Sequence, residues 1–360
     1  MIHELRRHYD LRSAGMLPFS WNPDDAADPS SGLPHDLLLV DKAPEVWHRL
    51  GSLRLLKRRY LQWQHEGWRP DHILVYNLSP VYNAFLLWLK RSFRNPPRLL
   101  LLFVDSSQLG SKISALKKLR HRFKPLVYGD EQMLDLFDGL IGWSKNSEFV
   151  ARSRSLPFLW IPGGCDPSRA VSEAKKIAHP VDGPLTAGYF GSLAPHAGVT
   201  ELLEGFTGVT LPVRLKFCGY GKQTDAVIKR VQNDSRVQFC GLLSPLECLD
   251  FALGCDLLIN PRPLGHGNEN NFPSKVFEYA LTGRSIMTTG FAGVREVLGE
   301  EAFYLDETRL VESIGSQLNL LQKISRNEIE RRGNVVKQRV IDQFSWKSQA
   351  EKMARFITES

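Results

Sequence analysis

From Asp71 onward the chain alternates short apolar runs with helix-length amphipathic ones, and this alternation constrains the fold more than any other feature. His72 to Asn77 reads as a buried strand, Val81 to Arg94 as a helix and Arg98 to Val104 as a strand, with Leu140 to Trp143 and Pro157 to Ile161 as two more strands. Strands separated by helices pair in parallel, because each crossover returns the chain to the same end of the sheet, and the helices then cover both faces. The pattern pauses over Asp166 to Pro184, a polar stretch with Pro167, Pro180 and Pro184 that reads as a linker. It resumes with Thr186 to Phe190, Val213 to Cys218, Val237 to Cys240, Cys255 to Asn260 and Arg284 to Thr288 as strands. The expected fold is therefore α/β, with two Rossmann-like domains facing one another. Ligands of open parallel sheets bind beyond the carboxyl ends of the strands, which puts the expected site in the cleft between the domains.

The strand ends of the second block carry the most specific chemistry. Thr186 to Phe190 ends in Gly191-Ser192-Leu193, Val213 to Cys218 in Gly219-Tyr220-Gly221-Lys222, and Val237 to Cys240 in Gly241-Leu242-Leu243-Ser244. Glycines there let the main chain approach a ligand closely. A lone G-x-G without the third glycine of the dinucleotide fingerprint disfavours NAD. The fourth strand runs through Asn260-Pro261-Arg262-Pro263 and a loop with Gly265 and Gly267 into Asn270-Asn271-Phe272-Pro273-Ser274-Lys275-Val276-Phe277-Glu278. Free amides at a helix start, with Ser274 and Lys275 in the first turn, suit a phosphate; Glu278, one turn on, is placed to accept from sugar hydroxyls. An ordinary capped helix after a loop explains the same residues.

At 360 residues the chain has room for two domains of ordinary size. No apolar run is long enough to span a bilayer, and Met1 to Arg7 has no apolar signal core, so the reading is cytosolic. The five cysteines, Cys165, Cys218, Cys240, Cys248 and Cys255, form no C-x-x-C pair and read as reduced core residues rather than zinc ligands.

The net charge of +7 is unevenly placed, for residues 1–170 hold 24 Lys and Arg against 17 Asp and Glu, whereas residues 171–360 hold 22 of each. Within the first half, residues 49–124 hold 16 basic and 3 acidic side chains, interleaved with Tyr60, Trp63, Trp68, Trp88 and Phe93. Such a segment suits an anionic membrane surface, as on an inner leaflet where a peripheral protein meets lipid phosphates. Nucleic acid also fits the charge, but no sheet or OB-type aromatic platform is legible, so no nucleic-acid partner is expected. Solvated helix faces with the rings in a core account for it equally.

Taken in order, these segments resemble the family 4 glycosyltransferases of the GT-B fold, from about residue 70 to the end. Tyr189-Phe190-Gly191-Ser192-Leu193 with Gly198-Val199 looks like the opening of that family's donor domain, and Phe217-Cys218-Gly219-Tyr220-Gly221 like its G-x-G strand end. Phe272 to Tyr279 is the most specific match, resembling a subgroup whose donor motif carries P-S-K; Gly293 to Leu298 and Phe344-Ser345-Trp346 resemble later segments. The resemblance implies an acceptor-side domain over 1–165, a linker over 166–184, a nucleotide-sugar donor domain over 185–343, and a final helix over 344–360 crossing back to the first domain.

It also implies a retaining, metal-independent hexosyltransferase that moves sugar from a nucleotide-diphosphate donor to a lipid-linked or surface-glycan acceptor, with no further cofactor. Glu278 would hold the ribose, the amides of Ser274 to Val276 with Lys275 the diphosphate, and Gly241 and Leu242 would lie near the base. Gly191 and Ser192 would approach the phosphates, Gly219 and Gly221 would belong to the donor-binding set, and Asn270, Asn271 and Phe272 would face the transferred sugar. Preorganised cations and amides stabilise the leaving diphosphate in such a site.

The sequence departs from the family pattern in four places. Asn270 stands where a Glu is usual, eight before Glu278, and Ser192 and Ala197 stand where many members have Arg and Lys. Lys275, Arg262 or Lys222 would compensate. Asp105 follows the strand ending at Val104, where a His is frequent; it is a candidate base for the acceptor hydroxyl, or a helix cap. Met1 to Asp10 reads like the helix that follows the family's first strand, so that strand is expected to be missing from the N-terminal domain. These departures leave open a GT-B protein that binds a nucleotide or a protein partner without catalysis.

Overall fold

The computed structural model describes residues 2–5, 7–12, 14–16, 36–38, 45–103, 131–145, 155–169 and 183–359. They fall in two compact units, one of Met1–Trp143, Glu148–Trp160 and Ala350–Ser360, the other of Ser144–Ser147 and Ile161–Gln349.

In the first unit β1 (Ala14–Met16) and β2 (Asp36–Leu38) form a parallel pair apart from the main sheet. The main sheet has four parallel strands in the order β3 (His72–Tyr76), β4 (Arg98–Phe103), β5 (Gly139–Gly142) and β6 (Phe158–Trp160). Leu99 to Phe103 are buried without interruption, as a strand covered on both faces must be. The crossover helix Pro80–Ser92 begins with Pro at its first position, where no amide partner is lost, and ends with Lys90 and Arg91 near its carbonyl end. The expected long N-terminal helix is only Ile2–Leu5, and the chain's last helix, Trp346–Glu359, ends in this unit with Ala354 O accepting from Tyr9 Oη at 2.7 Å.

The second unit is a doubly wound sheet of six parallel strands: β7 (Leu185–Phe190), β8 (Val213–Cys218), β9 (Val237–Phe239), β10 (Leu257–Asn260), β11 (Ser285–Thr289) and β12 (Phe303–Leu305). Their spatial order is β12-β11-β10-β7-β8-β9, so the winding reverses between β7 and β10. The strand β12 was not read from the sequence. Helix Val199–Thr207 packs tightly on helix Leu310–Leu321: a Cβ on Gly205 would lie 2.6 Å from Val311 O. Helix Pro245–Leu253 starts from a reciprocal capping box, Glu247 N donating to Ser244 Oγ at 3.4 Å and Ser244 N to Glu247 Oε2 at 2.8 Å.

The reversal point itself is pinned. Asp256, just before β10, accepts from Thr186 N at 2.7 Å and pairs with Arg326 at 2.8 Å, both side chains being largely buried. Beyond the strands, the fully buried Tyr279 accepts from Phe190 N at 3.2 Å and donates to Phe190 O at 3.0 Å, tying helix Lys275–Leu281 to the end of β7.

Candidate functional site

The carboxyl ends of β7, β8 and β9 are stacked edge to edge by glycines. Gly191 and Gly219 hold φ values of +136° and +134°, which L side chains rarely adopt. Gly191 N donates to Cys218 O at 2.9 Å and Gly219 N to Gly241 O at 2.8 Å. The approach leaves no room for a side chain, since a Cβ on Gly219 would lie 1.8 Å from Gly191 O and one on Gly221 2.3 Å from Leu193 O. These loops therefore present main chain to whatever lies beyond them.

Over that surface lie the cations of the β10 side. Lys275 Nζ folds back onto Gly191, so closely that a Cβ there would be 1.6 Å from it, and lies 5.6 Å from the centroid of the Tyr189 ring. Burial pushes the lysine's pKa down, Glu278 opposes that shift, and the charge of Arg262 adds to it. Arg262, also lowered by burial, is steered by Asn268, whose Oδ1 accepts from its guanidinium. Asn268 is fully buried and gives Nδ2 to His196 O at 2.9 Å and to Pro263 O at 2.8 Å, which clamps the loop after β7 to the loop after β10. Gly198 completes the contact, as a Cβ there would be 1.6 Å from Pro261 O.

Two histidines join this group. His196 has its pKa lowered by burial first, then by Arg262, Lys275 and His266. His266 sits at φ +56° between Gly265 at +86° and Gly267 at +75°, a run of left-handed residues that costs a non-glycine residue of the order of 1 kcal/mol. The arrangement concentrates positive charge, partly desolvated, at the winding reversal. Partly buried cations with fixed geometry bind an anion more strongly than the same charges in water.

The other residues singled out from sequence are distributed around this group. Asn270 ends the 3-10 helix Asn268–Asn270, and Asn271 follows it half-buried. Phe272 is buried against Phe277, ring centroids 5.3 Å apart, so its side chain belongs to the packing and only its main chain can meet a ligand. Ser274 is exposed and makes no side-chain cap, Val276 is fully buried, and Glu278 is exposed within electrostatic reach of Lys275. The helix runs only from Lys275 to Leu281, so its dipole is a smaller contribution than the two cations.

Ser192, exposed, gives its carbonyl to Tyr189 Oη at 2.6 Å. Lys222 stands exposed on the loop after β8. One residue beyond the Gly219–Gly241 hydrogen bond, Tyr220 and Leu242 are 72% and 79% exposed, an apolar rim on the β8–β9 side. Asp105 lies outside the described residues.

Sequence reading passed over His266, Asn268 and Tyr279. The Gly-His-Gly triplet was a legible signal for the first; nothing local marked the other two. Among the described residues, no group of three or more His, Cys, Asp and Glu could hold a metal ion, and no helix is long and apolar enough to cross a membrane.

In the first unit several aromatic residues of the basic segment pack on one another, while Tyr76 is 56% exposed. Tyr60 is buried, with Phe85, Trp88 and Phe93 packed around it at centroid distances of 5.6–6.1 Å. Trp63 packs edge-on against Trp68 at 5.3 Å, and both line a cavity of about 710 Å³ beside β3. Arg54, Arg58, Arg69, Arg91, Arg94 and Arg98 are exposed. Among the described residues of this segment, exposed arginines thus stand beside half-buried aromatic rings.

No family model and no curated protein matches the sequence. Solved structures do match across nearly the whole chain. Anabaena HepE, solved with UDP, aligns at a TM-score of 0.65 with 14% identity, over 100% of this chain and 95% of that one. Sucrose-phosphate synthase from Thermosynechococcus elongatus aligns at 0.63 with 13% identity, over 90% and 80% of the two chains. A lipopolysaccharide outer core galactosyltransferase, WaaB, aligns at 0.58 with 14% identity, over 90% and 84%. The chain accordingly has two Rossmann-like α/β domains of the GT-B type.

Proposed function

We propose that the chain is a glycosyltransferase that takes its sugar from a nucleotide-diphosphate donor held by the second unit, retains anomeric configuration, and passes the sugar to a lipid-linked or surface-glycan acceptor. The observation that carries this reading is the partly buried pair Lys275 and Arg262, the arginine oriented by Asn268 and the lysine set against the glycine-only main chain at Gly191 and Gly219. A diphosphate seated there meets cations on one side and main chain on the other. As the glycosidic bond breaks, negative charge grows on the departing oxygen, and cations already fixed near it lower the barrier without reorganising. Glu278, exposed beside Lys275, would accept from the ribose hydroxyls, Asn270 and Asn271 would meet the sugar, and the rim at Leu242 and Gly241 would lie against the base. Asp105 remains the proposed base for the acceptor hydroxyl.

HepE was solved with UDP and glucose, which supports uridine diphosphate sugars as the first donors to try. The neutral Asn270 in place of the usual carboxylate favours one other reading, a GT-B protein that binds the nucleotide without turnover. A cytoplasmic location on an anionic membrane surface, through the exposed arginines of residues 49–124, would be electrostatic. Vesicle binding should then require anionic lipid and fall with salt.

The test is thermal unfolding in the presence of UDP-, GDP-, ADP- and TDP-sugars, since a ligand of the folded state raises the midpoint. A shift with one of them, together with nucleotide release on adding membrane extract, supports the enzyme. A shift without release supports the binding protein, and no shift with any donor refutes both. Glu278→Ala should weaken the donor that shifts the wild type; unchanged affinity would remove Glu278 from the ribose.

A further inference from the structure

Four basic side chains from three separate elements meet at the mouth of the candidate donor site. His196 comes from the 3-10 turn Pro195–Ala197 after β7, Arg262 and His266 from the loop after β10, and Lys275 from the helix start. The acidic groups within reach are Glu269, which acts on Arg262, and Glu278, which acts on Lys275. His196 is not loosely attached to this group: its own carbonyl is held by Asn268, the residue that also receives the Arg262 guanidinium. Its imidazole nevertheless faces solvent, the residue being exposed.

A cluster of this composition has one member whose charge can change near neutrality, a property of histidine alone among these side chains. Burial first, and then the neighbouring Arg262, Lys275 and His266, hold the His196 pKa below the ordinary 6.5 in the free protein, and no carboxylate is among the groups acting on it. A bound dianion offsets the repulsion from these cations and favours the protonated imidazole, while the burial contribution remains. We infer that His196 is a direct ligand of the bound diphosphate, so that anion binding and proton uptake are coupled. The inference rests on the donor reading above and adds to it a residue that stands beside, not at, the family's Arg and Lys positions.

The sign follows from linkage. A group whose pKa is lower in the free protein than in the complex makes affinity rise as pH falls through the interval between the two values, and makes it level outside that interval. The lower edge of the interval lies below 6.5. Within it the affinity gains about tenfold per pH unit at most.

The deciding probe is sodium sulfate, which stays a dianion over this range and needs no base or sugar subsite; UDP-glucose is the parallel probe. Calorimetric titrations of the full chain in buffers of different ionisation heat count the protons taken up, and NMR of the histidine Cε1–H signal, assigned with His196→Gln, follows the group itself. The expected result is a fraction of a proton taken up with sulfate at neutral pH, a rise in the His196 pKa on binding, and loss of both in His196→Gln. Sulfate that does not bind, binds without proton uptake, or binds with uptake unchanged in His196→Gln but lost in His266→Gln, overturns the inference. Proton-linked sulfate binding with no UDP-glucose binding counts against a uridine donor alone and leaves His196 in its role.

Discussion

Replacing Gly191 by Ala tests the site at its tightest point. The new methyl meets two obstacles of different kinds. The first is the backbone: at φ +136° an alanine is strained by about 1–3 kcal/mol, whatever the space around it. The second is Lys275, whose Nζ would lie 1.6 Å from the added Cβ. That atom is the end of a flexible chain, so it moves away rather than forcing the fold apart, and the collision costs position rather than stability. Loss of a charge-assisted hydrogen bond to the diphosphate is worth about 1.5–3 kcal/mol, or roughly ten- to a hundredfold in affinity. Lys275→Ala should lose the same affinity without the backbone strain. The double variant should bind no more weakly than either single one, because both act on one contact. Urea unfolding gives the stabilities, and titration with the donor found by thermal shift gives the affinities. Wild-type affinity in Gly191→Ala would refute the placement of Lys275 on the diphosphate, and additive losses in the double variant would refute the shared cause.

Asn268→Ala should lower stability by about 1–3 kcal/mol, since two carbonyls and a guanidinium lose their buried partner, and should weaken anion binding as Arg262 loosens; urea unfolding and titration read the two effects. Asp256→Ala removes the carboxylate from the largely buried Arg326, which keeps its hydrogen bond to Gly183 O, and frees Thr186 N, so a loss of about 3 kcal/mol is expected in chemical denaturation. Asp234 is held at about 2 instead of 3.8, chiefly by its hydrogen bond from Arg236. A depressed carboxylate contributes stability that is complete above its unfolded value and is lost as pH falls through the folded one. The stability difference between wild type and Arg236→Met should therefore be constant above about pH 4 and shrink toward pH 2, leaving only the part due to the Val209 carbonyl and the Phe206 ring.

Most strands were legible to within a residue or two, several because they are nearly continuous apolar runs, the signature of a parallel strand covered on both faces, and β8 because Val213, Leu215 and Phe217 alternate with polar residues. Leu99 to Phe103 and Leu257 to Asn260 are such runs. The glycines at 191 and 219 were legible as close-approach points, whereas a Cβ on Gly241 would meet nothing within 4 Å and only its φ of +74° favours glycine. The basic, Trp-bearing segment was not legible in the same way. Composition cannot tell an inward ring from an outward one, and the packing of Tyr60, Trp88 and Phe93 on one another buries Tyr60 and leaves the other two half-buried. His266 shows the opposite failure, a residue with a local marker whose chemistry appears only beside His196 and Arg262.

Periodicity and residue type are local properties, and they determined on their own that this chain builds parallel sheets with glycine-rich strand ends and a lysine at the start of the helix after Asn260. The order of the strands is not local. Only the tertiary structure decided that β10 lies beside β7, and with it that Lys275 reaches Gly191 and that Arg262 and His196 share Asn268. Charges act on one another through distance and burial, so cations scattered along a sequence become an anion site only when the fold brings them together out of water.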